Sequence, residues 1–275
     1  MGQLIQGDPS VGLAGSLLGH DLSTSNVGDE SRRGRGVGKH SDRSMPNLRV
    51  LGVFRLRRDE FPVEIPPGSR RLLAFLAILQ QPTMRATVAG ALWPGSDERH
   101  AFASLRSALV RLHGIALPLV ESCPHMLRLT EGVRVDIAHA RALARRLIDG
   151  EVHLSDIALT SIAPLSLDLL PEWGDDWLTV EAEDWRQLRL HALEALSAVL
   201  TLHGQYPAAV AAAIAAVKGD SLRETARLAL VKAHLAENNR SEALSEFLGY
   251  QDLLHNKLGL QPSFGFVRLI ESVKS

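Results

Sequence analysis

The chain has 275 residues, of which 45% are hydrophobic and 22% are charged. These proportions are typical of globular proteins and exclude a wholly disordered chain, and the length is sufficient for two modest domains. The single cysteine, Cys123, excludes an internal disulfide framework and is typical of a reducing compartment. No apolar run has the length of a membrane span, and the N-terminus lacks the pattern of a secretory signal, so we expect a cytoplasmic protein.

Charge is distributed unevenly along the chain, although the formal net charge is −1. Between residues 47 and 113, ten arginines stand against five acidic residues, which gives a net charge of +5. Between residues 151 and 186, nine acidic residues stand against one arginine, which gives −8. A basic half followed by an acidic segment predicts one face that attracts a polyanion and another that repels it.

The first 46 residues are rich in glycine and serine and show no sustained periodicity, so we expect residues 1–46 to form a disordered leader. Regular structure is predicted to begin at Asn47. Residues 48–58 alternate between apolar and polar side chains, and the alternation resumes at 61–66 after a turn at Asp59–Glu60. This pattern predicts a β-hairpin or a small meander.

Three helices are predicted after this sheet. Ser69 is placed to cap a helix over Arg70–Gln80, and Thr83 is placed to cap a second one over Met84–Trp93. The third helix is predicted over Arg99–His113.

The third predicted helix has two distinct sides. Its apolar stripe, with spacings of three and four, consists of Phe102, Leu105, Leu109 and Leu112. The opposite side is small, cationic and hydroxylated, and it carries His100, Ala103, Ser107, Val110 and Arg111, flanked by Arg99, Ser104 and Arg106. Such a face fits a DNA major groove, because small residues permit close approach and arginines donate to phosphates or guanine edges. The alternative is an ordinary amphipathic helix whose basic side is solvated.

Short strands separated by turns, at 117–120, 126–129 and 133–135, predict a β-hairpin wing after the third helix. A small sheet, three helices and a terminal hairpin have the order and spacing of a winged helix-turn-helix, in which the third helix enters the major groove. We therefore predict a DNA-binding domain over 47–136. Its expected DNA-binding residues are Arg99, Ser104, Arg106, Ser107 and Arg111 on the third helix, with Arg70, Arg71, Arg85 and the wing residue Arg128 positioning the DNA backbone.

From Ile137 onward the pattern is helical, with one helix predicted over Ile137–Leu147 and a long one over Trp177–Leu202. Three tryptophans at helical multiples of four, Trp173, Trp177 and Trp185, form a stripe. Such a stripe indicates packing between helices rather than a ligand cage.

The C-terminal part contains a repeat with an offset of 34 residues, the tetratricopeptide (TPR) period. Gly204 aligns with Asn238, and Ala209 aligns with Ala243. The repeat predicts two helical hairpins, Gln187–Leu202 with Tyr206–Val217 and Leu222–Ala236 with Ser241–Leu258. The helix predicted at 137–147 or a final helix at 263–273 should pack on these hairpins. We therefore predict that residues 137–275 form a TPR-like domain with a surface that binds a partner.

No pattern in the chain indicates catalysis. The eleven histidines are dispersed without a metal-binding motif, and no nucleophile elbow is present. Glu172, Asp175 and Asp176 could act as paired carboxylates, but they precede a predicted helix, where acidic residues favour the positive end of the helix dipole, so we prefer a capping role. We expect no enzyme activity, no catalytic residue, no metal and no cofactor.

Several segments, read together and in order, resemble one family. They are LRVLGVFRL, RRLLAFLAIL, ALWPGSDERHAFASLRSALVRLH, DDWLTVEAEDWRQLRLHALEAL, AHLAENNRSEALSEF and KLGLQPS. The chain resembles, over about Asn47–Glu271, the SARP-type transcriptional regulators of actinobacterial antibiotic production, which join an OmpR-like winged helix to a bacterial transcriptional activation domain (BTAD). The resemblance implies binding to double-stranded promoter DNA, often at repeated half-sites, recruitment of RNA polymerase, a location at the nucleoid and activation rather than repression. It is also compatible with a homodimer.

Two positions depart from the pattern of this family. Relatives usually place further arginines near the end of the recognition helix, where this chain has His113–Gly114, and a Gly-Tyr pair in the wing, where it has His125–Met126. We therefore expect base contacts from Arg99 through Arg111 and little beyond. Two functions remain open: a sequence-specific DNA-binding regulator that contacts the transcription machinery, and an interaction adaptor that acts through its TPR-like half.

Overall fold

The computed structural model describes residues 45–115, 118–152 and 162–274, so residues 1–44 of the expected leader lie outside the described residues. The described chain is mainly helical, with two small sheets near its N-terminal end. The predicted fold class is confirmed: a winged helix-turn-helix with a small sheet and a wing is followed by an all-α, TPR-like region.

The helices and strands have the following bounds. The strands are β1 (Asn47–Arg49), β2 (Arg55–Arg58), β3 (Phe61–Pro62), β4 (Thr83–Met84), β5 (Val120–Ser122), β6 (Met126–Leu129) and β7 (Arg134–Val135). The helices are α1 (Pro67–Leu79), α2 (Arg85–Leu92), α3 (Glu98–His113), α4 (Asp136–Ile148), α5 (Ile162–Leu165), α6 (Asp176–Leu202), α7 (Tyr206–Gly219), α8 (Glu224–Ala236), α9 (Arg240–Leu258) and α10 (Phe264–Lys274).

The first sheet has the strand order β3-β2-β1-β7. Strand β1 pairs antiparallel with β2, where Leu48 lies opposite Leu56, and parallel with β7, where Leu48 lies opposite Val135. These three side chains are buried and turn the apolar side of the sheet towards the core. The strand predicted at 133–135 as the end of the wing therefore belongs to this sheet instead, because it pairs with the distant β1.

The wing is a three-stranded sheet with the order β4-β6-β5. Thr83, expected to cap α2, lies in β4 and pairs with Leu127 of the wing. The residue that precedes α2 is Met84, which makes no side-chain capping bond. The predicted Thr83 cap is therefore wrong, because pairing with the wing takes this residue into a strand.

The predicted cap of α1 by Ser69 is also wrong. The helix begins at Pro67, three residues before the predicted start at Arg70, so Ser69 lies within its first turn. The Ser69 side chain is fully buried, and its hydroxyl donates a hydrogen bond to the Ala108 carbonyl at 2.9 Å. This bond ties α1 to α3 in place of capping α1.

The two helical hairpins predicted from the repeat are present as the end of α6 with α7 and as α8 with α9. The aligned residues Gly204 and Asn238 share a left-handed backbone, with φ of 72° and 64°. Ala209 and Ala243 are both fully buried and allow each helix pair to pack closely. Both expected flanking helices pack on the hairpins, α4 against α6 and α10 against α9.

Aromatic side chains pack the helical region against the winged helix. The Trp177 ring meets the Phe75 ring edge-on at 5.0 Å between centroids, and the Trp173 ring stacks on Phe54 at 5.9 Å. Trp185 is 1% exposed, and its indole nitrogen donates to the Leu167 carbonyl at 2.9 Å. The prediction that the tryptophan stripe serves packing is confirmed.

Polar contacts also cross the boundary predicted at residue 136. The carboxylate of Asp136 accepts hydrogen bonds from the backbone nitrogens of Val50 and Leu51 at 2.9 and 3.1 Å. The guanidinium of Arg141 donates to the Ile78 carbonyl at the end of α1, at 2.6 Å, and to Glu181 of α6, at 2.8 Å. The winged helix and α4 are thus held on one continuous core.

Candidate nucleic-acid interface

Helix α3 starts with a capping residue that also orients its first turn. The Asp97 carboxylate accepts a hydrogen bond from the His100 backbone nitrogen at 2.9 Å and lies 2.8 Å from the Nδ1 atom of the His100 ring. The hydrogen bonds from the backbone and side chain of His100 lower the pKa of Asp97 below its ordinary value. The charged carboxylate fits the positive end of the helix dipole, so it stabilises α3 at this end.

The apolar stripe predicted for α3 faces the core. Leu105, Leu109 and Leu112 are buried, and Phe102 is half-buried. Ala101 and Ala108 are buried beside them and were not part of the predicted stripe. Burial of this side leaves the opposite side of α3 at the protein surface.

The outer face of α3 carries three exposed arginines, Arg99, Arg106 and Arg111. Within the described parts of the chain, none of the three makes a hydrogen bond or an ion pair through its side chain. Ser107 is exposed between them, and Ser104 is half-buried at the flank. The structure therefore brings the five predicted α3 residues to one side of one helix, and its three cations are free.

Two of the arginines expected to position the DNA backbone, Arg85 and Arg128, are engaged by the wing. Arg85 donates to the Cys123 carbonyl at 3.2 Å and to the Ser122 hydroxyl. Arg128 forms ion pairs with Glu121, across the β5–β6 pair, at 2.6 Å and with Glu131 at 3.4 Å. The hydrogen bond and charge of Glu121 raise the pKa of Arg128. Two carboxylates thus offset the charge of Arg128.

The two arginines at the start of α1 lie away from the α3 face. The Arg70 guanidinium lies 5.7 Å from the centroid of the Phe54 ring and donates to the Ile65 carbonyl at 3.3 Å. Arg71 forms an ion pair with Asp175, which lies just before α6. Arg70 is thus engaged by the first sheet and the loop before α1, and Arg71 by the residue before α6.

The capping role predicted for Asp175 is wrong. Asp175 occupies the N-cap position of α6 but makes no side-chain capping bond. Its carboxylate instead pairs with Arg71, which is 104 positions earlier in the chain. Glu172 and Asp176 are exposed, and Asp176 lies in the first turn of α6, where its charge favours the helix dipole.

Several acidic side chains of the segment predicted to form a repelling face make ion pairs with arginines of the same chain. Asp168 pairs with the buried Arg189, Glu181 pairs with Arg141, and Glu183 pairs with Arg186. Arg141 and Arg189, which lie outside this segment, therefore partly offset its charge imbalance, whereas Arg186 was already counted in it.

Four further arginines, which we did not single out in the sequence, lie on the outer side of the first sheet. They are Arg49, Arg55, Arg57 and Arg134. The alternation of residues 48–58 was the signal for the first three, because residues between buried ones point to the opposite side. The fourth could not be found in this way, because the pairing of β7 with β1 is not visible in the sequence.

The described residues hold neither a cluster of metal ligands nor a membrane-spanning helix. No three histidine, cysteine or acidic side chains are grouped there as metal ligands would be. None of the helices described is both long enough and apolar enough to cross a membrane.

A family comparison identifies the C-terminal half. The model of the bacterial transcriptional activator domain matches residues 163–274, which span α5 to α10. These residues are therefore similar to that domain family. A search of curated proteins finds no match.

A solved structure shares the fold of most of this chain. The structure of Mycobacterium tuberculosis EmbR in complex with a low affinity phosphopeptide matches with a TM-score of 0.60 and 21% identity. The match covers 84% of this chain and 65% of the EmbR chain, so this protein spans about two thirds of its relative. Together the two comparisons support the resemblance to SARP-type transcriptional regulators.

Proposed function

We propose that the protein is a sequence-specific DNA-binding transcriptional regulator whose helix α3 enters the major groove. The observation that carries the proposal is the outer face of α3, where Arg99, Arg106 and Arg111 are exposed and lack partners among the described residues. Free guanidinium groups match phosphate oxygens and guanine edges, and the Ser107 hydroxyl adapts to either. The winged-helix arrangement gives α3 the position from which such a face reads bases.

The length of the face sets the size of the site. At a rise of about 1.5 Å per residue, Arg99 and Arg111 lie about 18 Å apart along the helix. This distance corresponds to about five base pairs at about 3.4 Å each. One copy should therefore read about five base pairs, with few contacts beyond Arg111, because the Nδ1 atom of His113 donates a hydrogen bond to the Leu109 carbonyl at 2.8 Å.

Arg128 and Arg85 are proposed to act mainly by shaping the wing. Both are bound to groups of the wing, and the two carboxylates beside Arg128 weaken its attraction for phosphate. Arg70 and Arg71 are left out of the proposed DNA surface because they bind Phe54 and Asp175.

The helical half is proposed to contact the transcription machinery, with RNA polymerase as the partner implied by the family resemblance. The match of residues 163–274 to a bacterial transcriptional activator domain supports activation over repression. This role fits a location in the cytoplasm, in association with the nucleoid.

The second candidate function is an adaptor that binds a protein through the TPR-like half. One observation favours it: a cavity of about 360 Å³ opens between α6 and α8. Its lining includes Ala198, Leu202, Leu228 and Ala229, and Leu202 is 84% exposed. An exposed apolar cavity of this kind is typical of a surface that receives a partner.

The proposal is tested by DNA binding of the full chain to mixed duplex fragments at two salt concentrations. If three arginines contact phosphates, the logarithm of the affinity should fall with a slope of about −2.7 against the logarithm of the salt concentration. Between about 50 and 200 mM salt, the affinity should then fall about 40-fold. Arg106→Ala and Arg111→Ala should each weaken binding and, where the side chain contacts a phosphate, reduce the slope by about 1.

Arg145→Ala is the matched control, because Arg145 is also exposed but lies on α4, away from α3. It should bind as the wild type does. Absence of binding by the wild type at low salt would refute the regulator and leave the adaptor. Equal binding by the wild type and both α3 variants would refute the assignment of the interface.

A further inference from the structure

The cavity between α6 and α8 is lined by polar as well as apolar side chains. Its volume of about 360 Å³ lies within the range of small-molecule sites, which is about 300–1,000 Å³. Helix α6 lines it with residues spaced by three and four from Glu194 to Leu202, and α8 with a similarly spaced set from Thr225 to Lys232. Residues at these spacings share one side of a helix, so the cavity lies between two facing helix sides.

The centre of this cavity is apolar. Ala198 on α6 and Ala229 on α8 line it, and their small side chains leave space between the two helices. Leu228 and Leu202 add larger apolar walls, and Leu202, the last residue of α6, is 84% exposed. Removal of apolar surface from water is favourable, so a ligand with an apolar body gains free energy by covering these side chains.

The two ends of the cavity differ in charge. At one end the Glu194 carboxylate accepts hydrogen bonds from the Nε atom of Arg223 at 2.6 Å and from the Thr225 hydroxyl at 2.7 Å, so its charge is already matched. Lys232 lies about 10 Å further along α8 than Thr225. It is exposed, and its ammonium group makes no hydrogen bond or ion pair with any residue in the described parts of the chain. The free charge of the cavity is therefore a single positive one, which favours an anion.

One buried hydroxyl in the cavity wall also lacks a partner. Ser197 is 1% exposed, and its Oγ atom has no hydrogen-bond partner among the described residues. Thr201, one turn later, differs, because its hydroxyl donates to the Ser197 carbonyl at 2.8 Å. Buried polar groups of folded proteins are normally paired with the protein or with a bound molecule. A bound acceptor beside Ser197 would supply the missing hydrogen bond.

We propose that this cavity binds a small amphipathic carboxylate, whose apolar chain lies between Ala198 and Ala229 and whose carboxylate pairs with Lys232. One free ammonium group matches the single charge of a carboxylate, whereas a doubly charged phosphate monoester would be left partly unmatched. The cavity lies on α6 and α8 and not on α3, so the proposal does not rest on DNA binding. It assigns to the cavity a small molecule in place of the protein partner of an adaptor.

Isothermal titration calorimetry of the full chain with straight-chain probes tests the proposal. Octanoate should bind, and hexanoate should bind about 15-fold more weakly, because each buried methylene contributes a factor of about 4. Octylammonium, which has a chain of the same length and the opposite charge, should bind more weakly than octanoate. Lys232→Met should weaken the binding of octanoate about 2- to 5-fold and leave the binding of the uncharged 1-octanol unchanged. Octanoate should also raise the Tm of the wild type, because it binds only the folded chain.

Ala198→Phe should abolish the binding of octanoate, because the larger side chain fills the cavity from an exposed position on α6. The matched controls are Ala211→Phe and Lys257→Met, which make similar changes at exposed positions on α7 and α9, and both should bind as the wild type does. Circular dichroism should show all variants folded.

Absence of a calorimetric signal with millimolar octanoate would overturn the proposal and leave the cavity to a protein partner. Binding that is unchanged in Ala198→Phe would also overturn it, because the ligand would then lie elsewhere. Equal binding of octanoate and octylammonium would overturn the role of Lys232. A wild type that binds octanoate but no duplex DNA would refute only the assignment of α3.

Discussion

Replacement of Asp136 by alanine should destabilise the whole protein, although Asp136 lies at the junction of the two predicted domains. Its carboxylate accepts hydrogen bonds from the backbone nitrogens of Val50, Leu51 and Ile137, at 2.9, 3.1 and 2.8 Å. Val50 and Leu51 are 0% and 3% exposed, so water cannot replace the lost acceptor there. The substitution therefore leaves two buried donors unpaired.

Each unpaired buried donor costs about 1–3 kcal/mol, and removal of a partly desolvated carboxylate returns a part of this cost. We expect a loss of about 2–4 kcal/mol in the free energy of unfolding. For a chain of this size, about 3 kcal/mol corresponds to a fall of about 6–12 °C in Tm. Calorimetry and urea unfolding of the full chain measure both quantities.

The free energy of unfolding should also depend on pH through the carboxyl group of Asp136. Burial raises its pKa, although the three backbone hydrogen bonds oppose this shift. Because the folded pKa lies above the unfolded value of about 4, this group favours the fold most below that pH, and the contribution is lost as the pH rises through the folded pKa. Asp136→Asn lacks this titration, so the stability of the wild type relative to Asp136→Asn should be highest in acid and fall as the pH rises.

Asp149→Ala is the matched control, because Asp149 is an exposed carboxylate at the other end of α4. It should leave the Tm almost unchanged. A Tm for Asp136→Ala equal to that of the wild type would refute the claim that this side chain holds β1 on α4.

Two further stability predictions use urea unfolding. Gly219→Ala should lower the free energy of unfolding by about 1–3 kcal/mol, because a Cβ there would lie 2.6 Å from the Leu190 Cδ2 atom. Gly249→Ala should raise it by about 0.5–1 kcal/mol, because Gly249 lies inside α9 with open space around it. An equal effect of the two substitutions would contradict the packing of α7 on α6. Trp177→Leu should cost about 1–3 kcal/mol through loss of its contact with Phe75, and an unchanged free energy of unfolding would show that the two halves are not coupled there.

Periodicity in the sequence was sufficient to predict the longer helices, although it did not predict the short helix α5. Helix α3 was predicted over Arg99–His113 and is found at Glu98–His113, and the long helix predicted from Trp177 starts at Asp176. Both helices have a strong apolar repeat. This repeat depends only on residues that are close in the sequence, so it can be seen without knowledge of the fold. The free arginines of α3 follow from the same repeat, because burial of one side exposes the other.

The failed predictions concern residues whose partners are distant in the chain. Ser69, Thr83 and Asp175 are all residue types that favour helix caps, and each is used instead by a long-range contact. The propensity for capping is a local preference of about 1 kcal/mol, and burial or strand pairing outweighs it. The wing arginine Arg128 shows the same limit, because its two carboxylate partners become visible only when β5 and β6 pair.

The most direct test of the central claim is selection of bound duplexes from a random pool by the full chain, followed by sequencing. The wild type should enrich a motif of about five base pairs per copy. Arg111→Ala should relax the preference at one or two positions of that motif, whereas Arg145→Ala should leave it unchanged. A wild-type pool with no enriched sequence, at a salt concentration where the protein binds DNA, would contradict the claim that α3 reads bases.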